Sequence, residues 1–326
     1  MTASEVDGAV DPARPAHGKI IGVGRSLGER VITNADLEAS LQTTDDWISS
    51  RTGIRERRFV SDEQDAVTLA SDAAREAIEN AGVPADSIDL IVCATSTGPE
   101  SMPSVACLVG ESVGAVGVGA MDVAAACAGY AYAVSVAASM LATGTARRAL
   151  VIGSDAMSRI VDQSDRSTAV IFGDGAGAVV LDADGGESGF VDHLLGADGR
   201  MAPLGRAGHP GDEQKLYQNG REVFKFAVKV FPEMVEKLVA RNGIALDEVQ
   251  YIIPHQANAR IIQAAARKLD TPEERVVVNV DRFGNTSAAI IPLSYPDLYE
   301  SFESGRYVIT VGFGFGLAWA ANLYRI

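Results

Sequence analysis

Three side chains in this sequence stand where reaction chemistry would need them. Cys127 sits inside DVAAACAGY, Asp122 to Tyr130. A cysteine among alanines is most often a small buried hydrophobe, and the run alone reads first as helix packing. Its surroundings add something. AMDV reads as the end of a strand, and CAGYAYAVSVAASML has the spacing of an amphipathic helix, so Cys127 falls at or near a helix N-terminus. Unpaired N–H groups and the helix dipole there lower a thiol's pKa and favour the thiolate. The same N–H groups can hold an oxyanion. His255, in PHQANARIIQAAARKL, stands at the carboxyl end of an apolar run, with Pro254 holding it out of helical geometry. Asn258 is placed to cap the helix that follows. Asn285 lies in VDRFGNTSAAIIP, between an expected strand and a small-residue helix. A capped turn accounts for Gly-Asn-Thr-Ser; the alternative makes Asn285 an amide donor into a cleft.

The elements that would position these residues come in two copies. AGVPADSIDLIVCATST, from Ala81, aligns without gaps on NGIALDEVQYIIPHQAN, from Asn242, with an offset of 161 residues that sets His255 on Ala94. Each copy opens with an amphipathic helix, AVTLASDAAREAIENAG or KVFPEMVEKLVARNG, ending at Gly82 or Gly243. Glycine there suits the left-handed cap. A continuous apolar run follows each, as expected of a strand buried on both faces. Further strands are expected at Arg147–Asp155, Ala176–Ala183, Arg275–Asp281 and Arg306–Gly314. Two similar α/β halves place an active site between them, so that Cys127 and Asn285 face each other across a pseudo-twofold. The expected organisation is a disordered polar tail over 1–18, a first half over 19–184, a connection with surface loops over 185–220, and a second half over 221–326.

Composition limits the function classes. The chain has 326 residues, 47% of them hydrophobic, enough for a large core. Lys and Arg number 28 against 43 Asp and Glu, a formal charge of −15, which argues against a non-specific nucleic-acid binder. No apolar run reaches the roughly 18 residues of a membrane span, and the N-terminus lacks the basic and apolar regions of a secretory signal. Cys93, Cys107 and Cys127 form no CxxC, and the four histidines do not cluster with them. A cytoplasmic protein with free thiols and no bound metal is expected. FGDGAG, Phe172–Gly177, precedes an expected strand rather than a helix, the wrong context for a dinucleotide fingerprint, and reads as close backbone packing near the active site.

In these contexts Cys127, His255 and Asn285 resemble the trio of the β-ketoacyl-acyl carrier protein synthase III family, within the thiolase superfamily. The likeness covers about Lys19 to Ile326. It is carried by WISSRTGIRERR, DVAAACAGY, DRSTAVIFGDGAGAVVL, NGREVFKFAV, PHQANARII and VDRFGNTSAA, in the family's order and spacing. A Cys-His-Asn trio alone carries less, because papain-like proteases and plant-type polyketide synthases also use one. The resemblance implies a thiolase-like five-layer αβαβα fold, a homodimer, and no cofactor beyond a coenzyme A thioester as substrate. Its reaction is a ping-pong condensation. Cys127 takes an acyl group from a short acyl-CoA, acetyl or small branched. Malonyl-acyl carrier protein then enters, and His255 and Asn285 stabilise the enolate formed as CO2 departs. A thiolate serves as nucleophile and leaving group, and two neutral donors oppose the new charge in a dry cleft.

By family position, Trp47 and Arg166 sandwich the adenine of coenzyme A, Arg51 contacts its phosphates, Asn258 bonds the pantetheine arm and Phe224 lines its tunnel. Met102 falls at the floor of the acyl pocket. Lys225, Arg260, Arg267 and Lys268 form a basic patch for an acidic carrier protein, the last three sharing one helix face. An ordinary solvated face is the plain alternative. The chain departs from the family at GFGFG, Gly312–Gly316, where three consecutive glycines are usual. Phe315 takes the middle position, whose backbone N–H completes the oxyanion hole with that of Cys127. Phenylalanine keeps the N–H but does not readily adopt a positive φ. The turn ESFESGRYVI is also shorter than usual. Both changes are expected to narrow the pocket or alter its acyl preference. Two other readings stand beside fatty-acid initiation. One is a related ketosynthase or acyltransferase of secondary metabolism, which the retained WISSRTGIRERR and HQAN disfavour. The other is a non-catalytic acyl-CoA binding protein, which the intact trio disfavours.

Overall fold

The computed structural model describes residues 16–213 and 215–326. Of the expected tail, residues 1–15 lie outside the described residues. Residues 16–18 belong to the fold, since His17 exchanges both backbone hydrogen bonds with Phe190, at 3.0 and 2.8 Å.

The strands are β1 (Lys19–Leu27), β2 (Arg30–Thr33), β3 (Glu56–Phe59), β4 (Leu90–Ala94), β5 (Gly119–Val123), β6 (Arg148–Ala156), β7 (Asp174–Asp182), β8 (Gly189–Ala197), β9 (Gly205–Arg206), β10 (Tyr217–Gln218), β11 (Val249–Pro254), β12 (Tyr307–Gly314) and β13 (Ala318–Arg325). The helices are α1 (Asn34–Glu38), α2 (Asp45–Thr52), α3 (Ala66–Ala81), α4 (Val105–Val113), α5 (Gly129–Ala142), α6 (Arg166–Ala169), α7 (Gly220–Asn242), α8 (Ala259–Lys268), α9 (Val280–Phe283) and α10 (Tyr295–Leu298). One large sheet runs β1-β7-β6-β4-β5 and the other β8-β13-β12-β11, with β2/β3 and β9/β10 as separate two-stranded pairs. The strand directions repeat. The β1/β7 and β7/β6 pairs are antiparallel, as are β8/β13 and β13/β12, whereas β6/β4 and β12/β11 are parallel. The duplication read from the sequence is therefore a duplication of topology. Gly82 and Gly243 end α3 and α7 with φ of 65° and 63°, as a left-handed cap requires.

Three apolar clusters show five layers. Helices α3 and α4 cover the outer face of the first sheet, and α7 with α8 covers the outer face of the second. Between the sheets, α5 and the segment Ala288–Tyr295 share a core with Val92, Val151 and Val179 from one side and Ile253 and Val308 from the other. Helix α5 is buried along most of its length, with Ser139 and Ala142 exposed near its end, which explains why its alanine-rich sequence carries little amphipathic contrast.

Three expectations change. Gly189–Ala197, assigned to the connection, is β8 of the second sheet. It is an edge strand with one face half-exposed, and the apolar run that marks the inner strands is interrupted by His193 on that face and by the buried Asp192, which bonds Arg241 and Asn242 of α7. Arg275–Asp281 is not a strand. Val276 makes a single bridge with Ile252, and Val280–Phe283 is a helical turn. The Gln256 side chain takes the place of a ladder, donating to the Val277 carbonyl and accepting from Asn279 N–H at 2.8 and 3.1 Å. The small-residue helix after Asn285 breaks into short turns at 287–289 and 292–294 followed by α10, because Pro292 and Pro296 remove backbone donors.

Candidate active site

Cys127 occupies the turn Ala126–Ala128 that leads into α5, so it stands at a helix N-terminus as expected. Two residues beside it are held in the left-handed region, Ala126 at φ 46° and Ser287 at φ 54°. They are separated by the offset of the duplication, one from each half. A non-glycine residue held there costs about 1–3 kcal/mol, a strain that persists where the surroundings fix it. Here it brings the Ser287 hydroxyl to 3.5 Å from Cys127 Sγ.

The end of β12 ties His255 to Cys127. His255 N–H donates to the Val311 carbonyl at 2.7 Å, and its ring meets Phe313 edge-on at 5.2 Å. The next residue, Gly314, passes so close that a Cβ there would lie 2.6 Å from Cys127 N. Asn285 is fixed by its own backbone, which accepts from Gly173 and donates to the Ile171 carbonyl at 3.0 and 2.9 Å. Its Oδ1 accepts from Ser287 N–H at 2.8 Å, which turns the NH2 end of the amide away from that bond. FGDGAG thus serves close backbone packing at the site, as read from the sequence.

Burial governs the electrostatics. His255 is 2% exposed and its Nδ1 has no hydrogen-bond partner among the described residues. Desolvation holds its pKa down to about 3, so the imidazole is neutral at physiological pH. Cys127 contradicts the expectation of a lowered pKa. Burial pushes the thiol up to about 12, opposed by the Ser287 hydroxyl and reinforced by the negative Asp155. Asp155 was missed. It is fully buried at the end of β6, and its carboxylate accepts from Ser96 N–H, the Thr97 hydroxyl and Ala288 N–H at 2.8, 2.9 and 3.0 Å. Burial raises its pKa against these bonds. No local signal marked it, because the same strand also carries Arg148 and Ser154.

A cavity of about 190 Å³ opens at Cys127. Met157, Ile160, Phe172, Leu216 and Phe315 wall it, Ser287 lies beside the thiol, and Arg206 and His209 stand at an exposed edge. Phe315 is not among the described residues with positive φ; that conformation falls on Gly316, at 139°. The shortened turn before β12 lies at the opposite end of that strand from Phe315, roughly 25 Å away along an eight-residue strand. It does not shape the cavity.

The other expected residues fall in three groups. The guanidinium groups of Arg51 and Arg166 lie 4.8 and 4.7 Å from the Trp47 ring centroid. A purine between Trp47 and Arg166 needs about 7 Å, two stacking contacts of roughly 3.5 Å each. Admitting one requires Arg166 to leave the ring and its bond to the Gln42 carbonyl. Asn258 caps α8 by accepting from Arg260 N–H at 2.8 Å and donates to the Arg51 carbonyl at 2.9 Å, tying α8 to α2. Phe224 is 38% exposed on α7, outside the cavity lining. On α8, Arg260, Arg267 and Lys268 are all exposed, while Lys225 on α7 pairs with Glu222 at 2.7 Å. Met102 does not line the cavity of its own chain. It is 79% exposed, just before α4, whose first N–H groups bond Asp122 of the edge strand β5. Among the described residues no cluster of His, Cys, Asp or Glu can hold a metal, and no helix is long and apolar enough to cross a membrane.

A five-layer αβαβα fold of two duplicated halves, with a cysteine of one half 3.5 Å from a serine hydroxyl of the other, has the architecture of the thiolase type. The match to known proteins is narrower. The family model for 3-oxoacyl-[acyl-carrier-protein (ACP)] synthase III matches residues 121–199, and that for its C-terminal part matches 239–326. A beta-ketoacyl-[acyl-carrier-protein] synthase III of Rubrobacter xylanophilus is 74% identical over 95% of this chain and 99% of its own. One from Geobacillus kaustophilus is 46% identical over 94% and 98%. The crystal structure of 3-oxoacyl-[acyl-carrier-protein] synthase III from Aquifex aeolicus superimposes with a TM-score of 0.90 at 41% identity, covering 95% of this chain and all of that one. The chain belongs to the β-ketoacyl-acyl carrier protein synthase III family.

Proposed function

We propose that Cys127 carries the acyl group in the condensation that initiates fatty acid synthesis, and that His255 and Asn285 stabilise the enolate. The observation that carries this reading is that a neutral His255 and Cys127 both meet the end of β12, while Asn285 is held by Ser287, whose hydroxyl lies 3.5 Å from the thiol. In the first half-reaction Cys127 Sγ attacks the carbonyl of a short acyl-CoA. The C–S bond to coenzyme A breaks, and the thiol proton ends on the departing coenzyme A. The backbone N–H groups of Cys127 and Phe315 are the donors for the oxyanion.

In the second half-reaction the bond between the malonyl α-carbon and its carboxylate breaks, CO2 leaves, and the electron pair forms the thioester enolate. His255 N–H and the Asn285 amide donate to its oxygen; a neutral imidazole does so without holding a charge of its own. The α-carbon attacks the acyl carbonyl on Cys127, the thiolate leaves, and a solvent proton restores the thiol. No metal or cofactor enters either step. Trp47, Arg166 and Arg51 are the contacts for coenzyme A, with Asn258 and Phe224 along the pantetheine path. Arg260, Arg267 and Lys268, with Lys225 beside them, form the docking face for the carrier protein. We place the enzyme in the cytoplasm, where Cys93, Cys107 and Cys127 stay as free thiols.

A homodimer joined at β5 supports the expectation for Met102. Strand β5 is one edge of its sheet; Val116, 78% exposed, precedes it, and Met102, 79% exposed, precedes α4, whose first N–H groups bond Asp122 of β5. Across such an edge Met102 reaches the partner's cavity instead of its own.

Intact mass of the protein after incubation with acetyl-CoA tests the mechanism. An acyl adduct is expected, absent in Cys127→Ser. His255→Ala and Asn285→Ala keep the adduct but lose at least about a hundredfold in release of CO2 from malonyl-acyl carrier protein. Equal loss of both half-reactions would contradict the assigned roles.

A further inference from the structure

Phe315 is the least expected wall of the cavity, and its surroundings show how the fold admits it. A Cβ on Gly205 would lie 2.2 Å from Phe315 Cδ1 and 2.4 Å from Cε1. The ring therefore lies on the bare backbone of β9, in space that any other residue at 205 would occupy. It also packs with Met157, Ile160, Phe172 and Leu216, the other apolar walls.

The position is held from both sides. Beyond the ring, Leu317 and Asp198 exchange backbone hydrogen bonds at 2.8 and 3.1 Å, fixing the turn after Gly314. Beneath it, Gly205 and Arg206 pair with Gln218 and Tyr217. This pairing closes the segment that brings Arg206, His209 and Leu216 to the cavity. The ring and Cys127 line the same cavity. The remaining cavity, about 190 Å³, is smaller than the roughly 300 Å³ at which drug-sized pockets begin.

We infer that Phe315, seated on Gly205, limits the length of the acyl chain that Cys127 accepts, so that the two residues act as a matched specificity pair selecting acyl thioesters of a few carbons. The inference rests on the acyl-transfer reading above. A longer chain meets the ring edge within the first few carbons from Sγ. Gly205 acts through Phe315, because a side chain there drives the ring into the cavity.

Acylation of Cys127 by acetyl-, butyryl-, hexanoyl- and octanoyl-CoA, followed by intact mass, tests the pair. In Phe315→Ala the octanoyl-to-acetyl rate ratio should rise at least about tenfold, the scale on which a pocket discriminates by methylenes. Phe315→Leu should fall between this variant and the parent, and it keeps the test open if the alanine variant does not fold. Gly205→Ala should slow every primer, and adding Phe315→Ala should restore acetyl transfer. An unchanged chain-length profile in folded Phe315→Ala or Phe315→Leu overturns the inference. So does a double variant no faster than Gly205→Ala. If the parent protein forms no adduct with any primer, the acyl-transfer reading itself fails and takes this inference with it.

Discussion

At the scale of single residues, the site turns on which effect sets the state of Cys127. A helix N-terminus contributes roughly 0.3–1 kcal/mol, less than one pKa unit at about 1.4 kcal/mol each. Full burial moves a thiol by up to about 3–5 units in the other direction. Burial wins, and the thiol lies near 12. The sign follows for reactivity. The attacking species is the thiolate, so its fraction grows tenfold per pH unit everywhere below the pKa. Alkylation of Cys127 by iodoacetamide is therefore expected to accelerate about tenfold per unit from pH 6 to 9 without levelling, read by intact mass with Cys93 and Cys107 changed to serine. A plateau below pH 8 would mean that the helix terminus and the Ser287 hydroxyl dominate instead. The residue types of the trio were legible in the sequence because each stands at the end of an element. Ser287 and Asp155 were not. Their importance comes from a strained φ and from contacts between halves, neither of which leaves a local pattern.

At the scale of elements, legibility followed burial for most strands, although β13, buried in the middle of the second sheet, was missed. The strands β4, β6, β7, β11 and β12 are enclosed on both faces and read as continuous apolar runs. Helices α3 and α7 end on glycines that mark their stops. Strand β8, with one face half-exposed, and the Val276 bridge, where the Gln256 side chain replaces the ladder, carry no such signal. Helix α8 has a clear division of labour. Ile261, Ile262, Ala265 and Ala266 pack on the second sheet, leaving Arg260, Arg267 and Lys268 in solvent. On a chain of net charge −15 such a face stands out as a local site for an acidic partner. Arg260→Glu is expected to raise the KM for malonyl-acyl carrier protein about tenfold, more at low salt than at high. Acylation by acetyl-CoA should stay within about twofold of the parent. Steady-state kinetics at two ionic strengths check this, and an unchanged carrier-protein KM would remove α8 as the docking face.

At the scale of the whole molecule, the duplication explains how residues of both halves reach one site and bears on where a second copy is proposed to join. The first half supplies Cys127 at the start of α5, and the second supplies His255 and Asn285, the donors proposed to oppose the enolate. Asp155 joins them, its carboxylate held by Ser96 and Thr97 of one half and Ala288 of the other. The two sheets differ at one place. In the first, β5 is a full edge strand; in the second, its counterpart is reduced to the Val276 bridge. An uncovered edge flanked by exposed apolar side chains invites pairing with another chain, and β5, with the more exposed Val116 beside it, is the proposed site ahead of the β8 edge that carries Leu195. The protein is accordingly expected to have about twice the 34.1 kDa chain mass in solution, measured by light scattering on a sizing column. Val116→Glu adds a charge beside that edge without touching the core and is expected to give a single-chain mass with an unchanged circular dichroism spectrum. If Met102 completes the partner's cavity, this variant also loses primer discrimination while keeping Cys127 reactive toward acetyl-CoA. A dimer that persists in Val116→Glu moves the interface elsewhere on the surface. A single-chain mass for the parent protein at every concentration rejects the dimer and, with it, any role for Met102 at the site.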